Sequence, residues 1–432
     1  MMRNRYLTLI IVFAIVVTPL LSSSTVSIST SNLDQFSNTL SDPPEAYVIE
    51  GVPHVGQDGA YCAYASITMI FQYYGINTTE HEVLYNSGAG HSYAYKTELN
   101  CIHLSFNPNE REFLASLYVL SFDHWKADAD TLSAEECWQE YWYRVKQNIS
   151  QDIPICTIVN PFLMPSSKDF VGIPMWLSNL LSRWNIVLPA SHAIIIVGYN
   201  ETNGTVCYND PATGLWNDDA GGTYVWMNQT EFKLAVDKTS SLGSGYVISR
   251  FIDTPSDPLN KSEVFARAHQ RNIERMRGNK SVYAEKFSKF SLGINGLKEL
   301  RNDLNTVKGR LPTIIEYKIR GSLYRVLKRT FRTVEMWRAT LMSQFEYAPY
   351  VKRHVSQYLY ENSNISELCE FEARLLEREA ENWSKLDDYF LEFEHVRFFN
   401  LLIPRIIIHN MVETLDNIIA IEEAIIKGPV ET

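Results

Sequence analysis

The sequence predicts an α+β domain, with a buried helix packed on an antiparallel sheet, followed by an all-α helical bundle domain. Three observations predict it. The stretch "CAYASITMIFQYY", beginning at Cys62, is apolar nearly all round and stops at Gly75, as a helix central to a domain does. "PICTIV" (154–159), "AIIIVGY" (193–199) and "TVCYN" (205–209) are short β-branched runs bounded by Pro, Gly or Asn. After "DTPSDPLNKS" (253–262) the strand signals cease, and long segments carry apolar residues at helical spacing.

Taken in chain order, residues 1–24 pair a basic start (Arg3, Arg5) with an apolar run to Leu21 and a small-residue tail, the pattern of a secretory signal peptide or an N-terminal anchor. Residues 25–46 read as a Ser-, Thr- and Pro-containing linker, residues 47–252 as the mixed domain and 260–427 as the bundle. At 432 residues the chain has room for both. The uninterrupted "AIIIVGY" predicts a strand covered on both faces, hence central in its sheet. In the bundle, Leu323, Val326, Leu327, Phe331, Val334 and Trp337 fall on one helical stripe, and similar stripes cross "ELCEFEARLLEREAENWSKLDDYFLEFE" and "VETLDNIIAIEEAII". The aromatic "CWQEYWYRV" (137–145) reads as helix core.

Charge and cysteine usage bound the function. A net charge of −11 excludes a general nucleic-acid binder. Residues 261–340 are nonetheless strongly basic, with 19 Lys and Arg against 7 Asp and Glu, which predicts an acidic or membrane-surface partner for these helices. Nine N-x-[ST] sequons, at Asn77, Asn148, Asn200, Asn203, Asn228, Asn260, Asn279, Asn364 and Asn382, agree with export and glycosylation outside the cell or on its outer face. In an oxidising compartment Cys101, Cys137, Cys156 and Cys207 become disulfide candidates, in any of three pairings. No cofactor and no metal is expected, since the "CIH" at Cys101 and His103 has no second pair and "SGAG" lacks phosphate-loop spacing.

Cys62 stands in the first turn of its helix, where unsatisfied backbone N–H groups favour a thiolate; burial works the other way. Gln57, just ahead, would aim its carboxamide beside the sulfur and complete an oxyanion hole with the Cys62 amide. His192 opens the buried strand and Asp210 ends the next one, with the "NETNG" turn between. In an antiparallel hairpin the two come side by side, so that Asp210 holds Nδ1–H of His192 and leaves Nε2 for the thiol. Asn209 is the competing orienter, and because neighbours on a strand face opposite ways, only one of the two serves.

These residues resemble a known family. "VPHVGQDGAYCAYASITMIFQYYG", "SHAIIIVGY", "CYNDPATG" and "MNQTEFKLAV" together look like the C39-like group of papain-like cysteine peptidases, over about residues 50–240. The resemblance implies a papain-like cysteine peptidase fold with Cys62, His192 and Asp210 catalytic and Gln57 in the oxyanion hole, acting on a peptide or amide. Ala63 departs from the family's usual glycine, which narrows the space beside the sulfur. A looser similarity, carried by "TTEHEVLYNSGAGHSYAY", "GINGLKELRNDL", "GSLYRVLKRTF" and "AENWSKLDD", is to the butirosin-biosynthesis protein H family and implies acyl transfer to an amine. Hydrolysis, acyl transfer and an inactive binding module that keeps the fold all remain open at this point.

Overall fold

The computed structural model describes residues 42–58, 61–96, 101–103, 108–128, 131–166, 191–214, 221–237, 239, 246–253, 259–283, 289–319, 347–395 and 402–429. The export signal and the basic stripe at 323–337 lie outside them. The chain divides into two compact units: one holds the chain up to Val83 and Tyr118–Asp257, the other Leu84–Leu117 and Pro258–Thr432. Residues 84–117, placed by the sequence reading in the mixed domain, thus cluster with the C-terminal helices.

The first unit is built on a seven-stranded antiparallel sheet. Its strands are β1 (Ala46–Val48), β4 (Leu120–Lys126), β5 (Ile155–Val159), β6 (His192–Asn200), β7 (Thr205–Asn209), β8 (Val225–Asn228) and β9 (Val247–Asp253). The order is β4-β9-β5-β6-β7-β8, with β1 added to β6. β6 is central, as its sequence predicts, and every residue from His192 to Tyr199 is buried. A bulge between Ile196 and Gly198 interrupts its pairing with β7, at the place where β1 also joins.

Helix α1 (Cys62–Tyr73) packs on β6 and buries its residues from Tyr64 to Phe71. It ends in a Schellman motif: the Gly75 amide donates to Gln72 O and the Ile76 amide to Phe71 O, both at 3.0 Å. Gly75 takes the required φ of 78°. Helix α2 (Glu80–Asn86) follows. Helix α4 (Ala134–Ile149) is started by a capping box between Ser133 and Glu136, worth about 1 kcal/mol. It buries Cys137, Trp138, Tyr141, Trp142 and Val145, which makes the aromatic run core rather than a binding platform. Helix α5 (Gln229–Asp237) seats Phe232 in the interior.

The second unit is helical, as expected, but not wholly so. Helices α3 (Pro108–Leu117), α6 (Lys261–Met276), α7 (Ile294–Ile319), α8 (Glu367–His395) and α9 (Leu402–Lys427), with a further helical stretch over 347–361, accompany a small antiparallel sheet. That sheet has the order β10-β2-β3, from Ser291–Leu292, Ala94–Lys96 and Cys101–His103. Helix α9 packs on α7 and α8 around Tyr93, Leu297, Leu300, Trp383 and Leu415. Much of the described basic charge is matched inside this unit: Arg271 and Arg275 meet Glu110, Lys298 meets Glu423 and Arg301 meets Asp416.

Two expectations are corrected. Cys137, Cys156 and Cys207 are free thiols, and the Cys101 side chain lies outside the described residues. Cys156 on β5 and Cys207 on β7 are separated by β6, so their Cα atoms stand about two strand spacings apart, roughly 9.5 Å, where a disulfide needs about 5.5 Å. Cys137 is likewise a buried free thiol, on α4. Among the sequons, Asn148 is buried on α4, where its amide donates to Arg144 O and its oxygen accepts from Arg250. It presents no acceptor to a glycosylating enzyme.

Candidate active site

The nucleophile and its base are brought together by one helix and one hairpin. The β6–β7 register pairs Ile195 with Asn209; continued by one residue it sets Asp210 opposite Ile194, on the face that also carries His192. His192 Nε2 and Asp210 Oδ1 are then 2.6 Å apart, and both side chains are almost fully buried. Helix α1 crosses the start of β6, and one turn beyond Cys62 the Ser66 hydroxyl donates to Ala193 O at 3.3 Å, which fixes the helix against the histidine strand. The Cys62 thiol, half-buried, hydrogen-bonds the His192 ring.

The relay therefore runs Cys62, His192, Asp210 as expected, with the ring nitrogens exchanged. The sequence reading gave Nδ1 to Asp210 and Nε2 to the thiol. Asp210 takes Nε2, which leaves Nδ1 for the sulfur.

Asn209 does not compete. Its oxygen accepts from the Tyr224 amide at 2.7 Å, so it serves the loop on the other side of β7. Asp210 is held from several directions. Oδ1 accepts from the Ala212 amide at 2.9 Å, Oδ2 accepts from the Ser166 hydroxyl, its own amide donates to Gly222 O, and its carbonyl meets the His54 ring at 2.8 Å. Ser166 is a functional neighbour that sequence reasoning missed, because it reaches Asp210 from more than forty residues away with no motif around it; His54 lies in the motif ahead of Cys62, but nothing in its spacing points to Asp210.

Electrostatics sort the three groups into an ion pair. Burial raises the Cys62 thiol, but the hydrogen bond and charge of His192 and the amides of Ala193 and Ala63 outweigh it and leave the thiol below its ordinary value. Burial lowers His192, but the Asp210 carboxylate and then Cys62 carry it up to about 10. Burial raises Asp210, but His192, Ser166 and the Ala212 amide bring it down to about 2. At neutral pH His192 is an imidazolium and Asp210 a carboxylate, and together they favour the thiolate form of Cys62.

Gln57 stands at the expected place, buried ahead of α1, with its amide donating to Pro211 O at 2.7 Å. Backbone N–H groups at the start of a helix are the kind of donor an oxyanion needs.

A helix-borne thiol hydrogen-bonded to a histidine, itself held by a buried aspartate across an antiparallel hairpin, defines the papain-like class of cysteine peptidase-like sites. Residues 49–234 match the Peptidase_C39 like family, and Cys62, His192 and Asp210 all lie inside the matched stretch. The match ends at residue 234 and does not extend to the C-terminal helices. No curated protein matches the chain.

Proposed function

We propose that the protein is an exported thiol hydrolase that cleaves a peptide or amide through a Cys62 thioester. The Cys62 thiolate attacks the carbonyl carbon, forming a C–S bond and a tetrahedral oxyanion that Gln57 and the Cys62 amide receive. As the C–N bond breaks, the proton on the His192 ring passes to the departing nitrogen. Neutral His192 then takes a proton from water, whose oxygen attacks the thioester. The C–S bond breaks, the acid leaves, and the thiolate–imidazolium pair is restored. Asp210 keeps the ring in place and stabilises its positive form throughout.

The single observation that carries this reading is the hydrogen-bonded Cys62–His192–Asp210 relay with its thiol lowered and its imidazole raised. Export is supported by the basic, apolar start of the chain and by the sequons that remain exposed, Asn203 and Asn364 among them. The test is stoichiometric labelling of Cys62 by a thiol-directed acyl electrophile. Fast labelling that is lost in His192→Ala supports the hydrolase. Labelling no faster than a model thiol means a binding module that keeps the fold, and turnover raised by added amines means acyl transfer.

A further inference from the structure

Glu80 is a buried acid that the relay does not use. After Gly75 the chain turns back, held by Gln72, whose carboxamide donates to Thr78 O at 2.9 Å. By Glu80 it has returned to the segment ahead of the nucleophile helix, where Glu80 Oε2 accepts the Asp58 amide at 3.1 Å. Asp58 follows Gln57 directly. Two consecutive amides are thus tied to two different parts of the unit: Gln57 to Pro211, just past Asp210, and Asp58 to Glu80. The remaining oxygen, Oε1, is fully buried with no hydrogen-bond partner among the described residues.

A residue that must point a carboxamide at a transition-state oxygen needs both backbone neighbours fixed, since a displacement of about 1 Å costs on the order of a hundredfold in rate. Pro211 provides one fixed point and Glu80 the other. We propose that Glu80 is the positioning residue of the oxyanion hole, acting through the Asp58 amide to hold Gln57 in its donating orientation; this rests on the thioester reading above. The acid is suited to the task. Burial lifts it to about 8, the Asp58 amide works against this, and the charges of Asp58 and Cys62 add to it. At neutral pH it is a neutral carboxyl that accepts from Asp58 without placing a second negative charge near the thiolate. Glutamine has the same shape and the same acceptor.

The experiment compares two probes of Cys62 in the full chain. Iodoacetamide alkylates the thiolate by direct displacement and needs no oxyanion hole; p-nitrophenyl acetate acylates it through a tetrahedral intermediate. Glu80→Ala is expected to slow acylation about 10- to 100-fold, with alkylation within about twofold of the wild type. Glu80→Gln is expected to restore acylation, and adding Glu80→Ala to Gln57→Ala to cause no further loss. Glu80→Leu removes the acceptor while filling the space, should the alanine variant fail to fold. Acylation unchanged in Glu80→Ala or Glu80→Leu, a loss that glutamine does not rescue, or an equal fall in both probes would overturn the role of Glu80 and leave the hydrolase standing. Wild-type acylation no faster than that of a free thiol would instead remove the hydrolase reading, and the proposal with it.

Discussion

Each unit buries a cluster of ionisable side chains. In the first, Cys62, His192 and Asp210 place an ionisable sulfur, a cation and an anion in line. In the second, Lys352 Nζ lies 2.7 Å from both Glu379 Oε2 and Glu422 Oε1, and the Tyr93 hydroxyl lies 2.8 Å from Glu379 and 2.7 Å from Glu422. Tyr93 has one proton for two carboxyl groups, so for both contacts to be hydrogen bonds one carboxyl must bring its own. Burial and then Glu422 push Glu379 up to about 8, against the pull of Lys352, and Glu379 is the group that keeps the proton. Both clusters offset the cost of burying charge by pairing. They differ in the last member: the second pairs an ammonium and a phenol with two carboxyl groups, whereas the first ends in a partly buried sulfur whose ionised form the histidine favours. A buried ionic cluster becomes a reactive one when a nucleophile is the last member of the chain.

The largest effect should come from breaking the first cluster. His192→Ala is expected to lower the second-order rate of Cys62 acylation by about 10³-fold or more, read as time-resolved release of the leaving group. It should leave Cys62 in place on its helix. In the second unit Lys352→Met removes the cation between two acids and should destabilise the fold by about 3–5 kcal/mol in denaturant titration. A companion Glu422→Gln should recover part of this loss, because the unpaired charge is what costs most.

Smaller changes separate the clusters by pH. Asp210→Asn removes the charge that raises His192, so the alkaline limb of the rate profile should move down from about 10 by at least a unit, or about 1.4 kcal/mol. Glu379 has a folded value raised above its unfolded 4.5, so its contribution to stability is complete below 4.5 and is lost as pH rises through about 8. Glu379→Gln should flatten this slope in denaturation curves taken between pH 5 and pH 9. Asp210 has the opposite sign: its contribution is present above 3.8 and is lost as pH falls through about 2.

Much of the site was legible because its parts are local. Cys62 announces itself by its place at the start of an apolar helix, and His192 and Asp210 share a hairpin whose turn and β-branched runs are plain in the sequence. Asn209 and Asp210 were separable by strand alternation alone. The ring nitrogens were not, since spacing fixes which residues meet and not which edge of an imidazole each one meets. Ser166, His54 and Glu80 were illegible because the chain separations of their hydrogen bonds to Asp210 and Asp58 follow no local pattern. The disulfide expectation failed because cysteine counting takes no account of a strand lying between two of them. The helical half was readable from its stripes in α8 and α9. That residues 84–117 join it was not, because that choice is made by packing around Tyr93 and Tyr95 rather than by any local pattern.

The most direct test is the titration of Cys62 itself, followed by thiolate absorbance or by the pH dependence of iodoacetamide alkylation in the wild type and in His192→Ala. The account predicts a thiolate that persists below the ordinary thiol range in the wild type and reverts to or above that range when the imidazole is removed. A wild-type Cys62 that titrates like a simple thiol, or one that His192→Ala leaves unmoved, would contradict it.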